Sequence, residues 1–94
     1  MSEIADFVAV EDSVLYQLVG DEVVVMNPAT RESFRLDSVA ADLWKLLAED
    51  GDVAQAIERL SAIYAGDPAA IRMDVNNMVQ QMIHLRFLRP EPRP

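Results

Sequence analysis

The sequence predicts an α+β fold, a three-stranded antiparallel sheet followed by three helices. Two observations predict it. The first half of the chain is dense in β-branched and aliphatic residues, broken by turn signals at Gly20-Asp21 and Asn27-Pro28. The second half carries apolar residues at helical spacing, punctuated by Asp, Pro and Gly. At 94 residues, the length fits one domain over 1–94, with a core at about 14–88.

The strands come first. "SVLYQLV" (13–19) and "EVVVM" (22–26) are separated only by Gly20-Asp21, a Gly-X pair that suits a type II′ hairpin because Gly tolerates positive φ. "NPATRE" (27–32) is the second turn, and "SFRL" (33–36) returns as a short third strand. Alternation puts Phe34 and Leu36 on one face and Ser33 and Arg35 on the other. Phe34 is expected in the core. "FVAV" (7–10) suggests an extended lead-in.

The helices follow. Asp37 or Ser38 caps the first, whose apolar residues are Ala40, Leu43, Trp44 and Leu47, and Gly51 ends it. Trp44 belongs to the core by this spacing. Asp52 opens the second helix, with Gln55 three residues on, and Gly66 ends it. Asp67-Pro68 opens the third, with Pro where no N–H is missed. Its apolar surface of Ile71, Val75, Met78, Met82 and Leu85, widened by Val79 and Ile83, exceeds the roughly 100° stripe that one-sided packing needs. The surplus suits either a small core or a groove filled by another chain. The tail "RPEPRP" (89–94) cannot be a helix and is expected to be frayed and flexible.

Composition excludes several functions. Sixteen acidic residues against eight basic ones give a formal charge of −8, which repels phosphate and argues against nucleic acid. No cysteine is present, so disulfides and thiolate metal sites are excluded. No apolar run approaches the ~18 residues of a membrane span. The acidic start "MSEIADF" lacks the basic opening of a signal peptide. The expected location is the cytoplasm. One histidine, His84, falls off the main stripe and reads as a solvated residue. No nucleophile–base set, phosphate loop or metal-ligand spacing occurs. The chain reads as a binding module rather than an enzyme, with no metal and no cofactor.

"MNPATRESFRLDSVAADLWKLL" (26–47) resembles the PqqD-like proteins, recognition elements for ribosomally made, post-translationally modified peptides. The matching positions are Asn27, Pro28, Thr30, Phe34, Leu36-Asp37, Ala40-Ala41, Leu43-Trp44 and Leu47. A second stretch, "DVNNMVQQMIHLRFL" (74–88), resembles the closing helix of that family at Asp74, Val75, Val79, Met82, Phe87 and Leu88. Asp37 stands where Asn is usual and Arg86 where Gly is usual.

The resemblance covers about 14–88 and implies a winged-helix-like domain that is not an enzyme. It implies binding of the leader region of a precursor peptide as an added strand on the third strand. The cleft would be shared with the third helix. The residues so implicated are Ser33, Phe34, Arg35 and Leu36 of the strand, and Asp74, Met78, Gln81, Met82 and Leu85 of the helix. The implied partner is a maturation enzyme such as a leader protease, a cyclase or a radical enzyme. The residues themselves allow strand addition, because Arg35 is the one outward charge guarding that edge. Two other readings stay open: a small winged-helix DNA regulator, and a dimerisation module, the chain being otherwise a monomer or weak dimer. Lasso-peptide and quinone pathways both fit, with a slight preference for the lasso-like product.

Overall fold

The computed structural model describes residues 5–92. Four strands come first: β1 (Phe7–Val10), β2 (Leu15–Val19), β3 (Glu22–Asn27) and β4 (Glu32–Leu36). Three helices follow, α1 (Ser38–Glu49), α2 (Val53–Ile63) and α3 (Pro68–His84), and β5 (Leu88–Glu91) closes the chain. The expected three-stranded antiparallel sheet is present in the order β2-β3-β4, with β4 as the predicted third strand. The start of "MSEIADF", residues 1–4, and residues 93–94 of the tail lie outside the described residues.

The hairpin between β2 and β3 turns at Gly20 (φ 62°), with Val19 paired to Glu22, as the Gly-X signal requires. Across β3 and β4, Val23 pairs with Leu36, and Val25 with Phe34. The inner face of the sheet therefore carries Val23, Val25 and Leu36, all buried. Onto it pack Leu43, Trp44 and Leu47 of α1, Val53, Ala56 and Leu60 of α2, and Val75 and Val79 of α3. The α2 and α3 starts obey their caps. Asp52 accepts from the Gln55 N–H at 3.1 Å and Asp67 from the Ala69 N–H at 3.0 Å.

Three features depart from expectation. Asp37 occupies the N-cap position of α1, but its side chain makes no capping hydrogen bond, and Ser38 takes a positive φ of 52°. The second helix stops at Ile63 with Tyr64 as its C-cap, before Gly66. The tail is not frayed over its first residues, because β5 pairs antiparallel with β1 from Phe7↔Glu91 to Val10↔Leu88. Leu88 anchors β5 in the core. Pro90 is tolerated because a two-stranded ribbon has only edge strands.

The β1–β5 ribbon is fastened at both ends. Arg89 meets Glu91 at 3.1 Å, Asp12 at 3.2 Å and Glu11 at 3.4 Å. The Val8 N–H donates to the Gly51 carbonyl at 3.0 Å. Gly51 has φ 74°, and a Cβ there would fall 2.0 Å from the Val8 carbonyl oxygen. Only glycine fits this approach.

Candidate peptide-binding groove

β4 is an edge strand, since its one neighbour in the sheet is β3. One side of its main chain therefore has no strand partner among the described residues. Alongside runs an open groove of about 170 Å³ lined by Phe34, Leu36, Ala40, Met78, Gln81, Met82 and Leu85. Its floor comes from β4 and the start of α1, and its wall from α3. The wall exists because α3 buries Val75 and Val79 in the core. Met78, Met82 and Leu85, at helical offsets from them, are left on the flank and only partly covered. A narrow recess continues inward between Ala40, Leu43, Trp44, Leu47, Met78 and Met82.

The implicated residues divide clearly. Phe34, Leu36, Met78, Gln81, Met82 and Leu85 are brought together in the groove. Ser33 and Arg35 point to the outer face, where Arg35 Nη1 meets Glu22 Oε1 at 3.1 Å across the sheet. Any contact from them with an added strand would therefore run along the edge itself. Asp74 lies one turn before Met78, exposed and outside the groove lining. Ala40, which sequence reasoning placed only in the core stripe, joins the lining. Its partial burial at the mouth of the recess was not readable from spacing.

Phe34 is a correction. It was expected in the core, yet it is 38% exposed. It does sit on the inner face, opposite Val25, but the groove leaves its outer side open. Its ring meets the buried ring of Phe87 edge-on, with centroids 5.5 Å apart. The end of α3 holds Phe87 in place. Arg86 takes φ 68°, and the Phe87 N–H donates to the Met82 carbonyl at 2.9 Å. A left-handed non-glycine residue costs about 1 kcal/mol.

Asn27 was expected only as a turn former. It is buried, and its side chain ties three segments together. It accepts from Ser13 Oγ at 3.1 Å and the Ala29 N–H at 3.0 Å, and donates to the Arg86 carbonyl at 2.6 Å. Asn27 thus links the β3–β4 turn to the end of α3.

Other polar features are peripheral to the groove. The Tyr64 hydroxyl donates to Asp42 Oδ2, and this hydrogen bond to a carboxylate raises the Tyr64 pKa above its ordinary value, with partial burial and the Asp42 charge acting in the same direction. Among the described residues no cluster of His, Cys, Asp or Glu could hold a metal. No helix there is long and apolar enough to cross a membrane.

This geometry defines an edge strand flanked by an apolar helical wall, in a domain of one three-stranded sheet, one two-stranded ribbon and three helices. The sequence matches the family model "PqqD: Coenzyme PQQ synthesis protein D" over residues 22–88, more than half of its length. The chain belongs to the PqqD family. Among solved structures, it is similar to TbiB1 in complex with the TbiA(beta) leader peptide. The TM-score is 0.84 at 24% identity, covering 90% of this chain and 99% of that one. It is also similar to lasso peptide synthetase B1 complexed with the leader peptide. There the TM-score is 0.79 at 14% identity, covering 88% of this chain and 98% of that one. A search of curated proteins gives no match.

Proposed function

We propose that this chain binds the leader region of a ribosomally made precursor peptide and holds it for a maturation enzyme, without catalysing a reaction itself. The observation that carries the reading is the free β4 edge lying directly beside an apolar groove. A leader segment adds to β4 through main-chain hydrogen bonds, and alternate side chains enter the space between Phe34 and the Met78–Met82–Leu85 wall. The wall's methionines adapt to the incoming side chains. The chain offers one histidine and no cysteine, a poor inventory for catalysis and a sufficient one for recognition. Two structures of this fold were solved with leader peptides bound, which supports the same use here. A lasso-type product is the pathway that one of these neighbours names. The enzyme served is a leader protease, cyclase or radical enzyme, in the cytoplasm.

Fluorescence anisotropy of labelled leader peptides from the cognate precursor tests this. Wild type should bind saturably, and Met82→Glu should bind at least about tenfold more weakly, or ~1.4 kcal/mol. Circular dichroism checks that the variant is folded. Folded wild type that binds no leader, or a Met82→Glu variant that binds as well as wild type, would sink the proposal.

A further inference from the structure

The other edge of the sheet lies outside the groove. β2 pairs with β3 alone, and every one of its residues is exposed. Leu15 and Val19 face outward beside Met26 and Glu22 respectively, while Tyr16 and Leu18 face inward. Native edge strands are normally guarded by charge, proline or a bulge. β4 has Glu32 and Arg35, whereas β2, "LYQLV", has no charge at all.

The surroundings of β2 are acidic at both ends, and unevenly paired. At its N-terminal end, Glu11 and Asp12 are both ion-paired to Arg89, which also meets Glu91. At its C-terminal end, an open pocket of about 390 Å³ is lined by Asp21, Glu22, Asp37 and Asp42, with Lys45 beside them, 4.0 Å from Asp42. Arg35 reaches Glu22 from β4. Asp21 and Asp37 have no ion-pair partner among the described residues. The edge therefore runs from an end whose carboxylates are ion-paired to one where two are not.

We infer that β2 is a second docking strand, for an extended segment of a partner protein whose apolar side chains alternate and whose basic end lies over the Gly20–Asp21 turn. The inference does not depend on the leader reading, because it concerns different residues. A second copy of this chain fits poorly. Antiparallel pairing of β2 with its copy about Gln17 would set Asp12 opposite Glu22 and Ser13 opposite Asp21, twice, between two chains of charge −8. A basic-ended partner meets the acidic pocket instead and is steered toward it. Together with the groove at β4, this makes a domain with two independently addressable edges.

The test uses the isotopically labelled full chain and a synthetic peptide of two lysines followed by alternating valine and threonine. Backbone amide shifts should concentrate at Leu15–Glu22. A peptide with glutamates in place of the lysines should bind about tenfold more weakly. Leu18→Lys, at an exposed position, should abolish the shifts while the β3 and β4 resonances keep their dispersion. The inference is overturned by shifts at Glu32–Leu36 instead, by equal binding of the glutamate peptide, or by no binding. A doubled mass of the free chain in solution, abolished by Leu18→Lys, would also overturn it by making a second copy the occupant.

Discussion

The two edges of the sheet are built alike and surrounded differently. Tyr16, Val25 and Phe34 form one row across β2, β3 and β4. Val25 is buried, and the two aromatic residues flanking it are each partly exposed. Each leans edge-on against a buried ring: Tyr16 on Trp44 and Phe34 on Phe87, both with centroids 5.5 Å apart. Beyond that row the resemblance stops. The β4 edge has α3 beside it, which turns the edge into one side of a groove. The β2 edge ends at a cluster of carboxylates. An edge strand supplies main-chain pairing that any extended peptide can use. What stands beside it differs, an apolar helical wall at β4 and carboxylates at β2.

The strongest way to break this comparison is to remove the buried member of each pair. Trp44→Ala and Phe87→Ala should each destabilise the fold by about 3–5 kcal/mol, the range for truncating buried large aromatics. For a domain with roughly 5–15 kcal/mol in hand, that is a large share. Denaturant unfolding followed by circular dichroism measures it. Trp44→Phe should cost far less, because the indole N–H is buried without an acceptor among the described residues. Removing that donor offsets part of the lost packing. Equal costs for Trp44→Phe and Trp44→Ala would mean that the indole is satisfied in solution.

The exposed members should behave as a pair in stability and separate in binding. Tyr16→Ala and Phe34→Ala should each cost about 1–2 kcal/mol, from partial burial and one edge-on ring contact. Leader affinity should then fall about tenfold or more in Phe34→Ala and stay at the wild-type value in Tyr16→Ala. If both variants lose leader binding equally, the two edges are coupled through Val25 and are not independent.

How far the molecule was legible in its sequence follows the same division. Helix starts at Asp52 and Asp67-Pro68, and the Gly20 hairpin, were readable because each is a local chemical requirement. The surplus apolar face of α3 was readable as period, and it gave Met78, Met82 and Leu85 of the groove. Phe34 was misplaced because alternation reports which face a residue takes, not whether anything covers it. The β1–β5 ribbon was missed because "RPEPRP" carries three prolines in six residues and its pairing is with the other end of the chain. The openness of β2 was hidden for the opposite reason. Its run of aliphatic residues reads as a buried strand, and nothing local shows that the sheet ends there.

The acidic end of β2 gives the smallest and most specific prediction. The Tyr64 hydroxyl donates to Asp42, and both residues line the carboxylate pocket. That hydrogen bond to Asp42 is the main reason the phenol holds its proton above the ordinary pKa, about 10 for tyrosine. A pKa raised by folding stabilises the protein fully below the unfolded value and less as pH climbs through the folded one. The contribution of Tyr64 is therefore intact at neutral pH and is lost in alkali, above pH ~10. Ultraviolet titration of phenolate should show a late-ionising tyrosine in wild type that is absent in Tyr64→Phe. Asp42→Ala should return its ionisation to the ordinary range, since it removes both the acceptor and the charge. The same variant takes one carboxylate from the pocket, so the lysine-ended peptide should bind it slightly more weakly. Late ionisation that survives Asp42→Ala would show that burial, rather than the carboxylate, holds the proton.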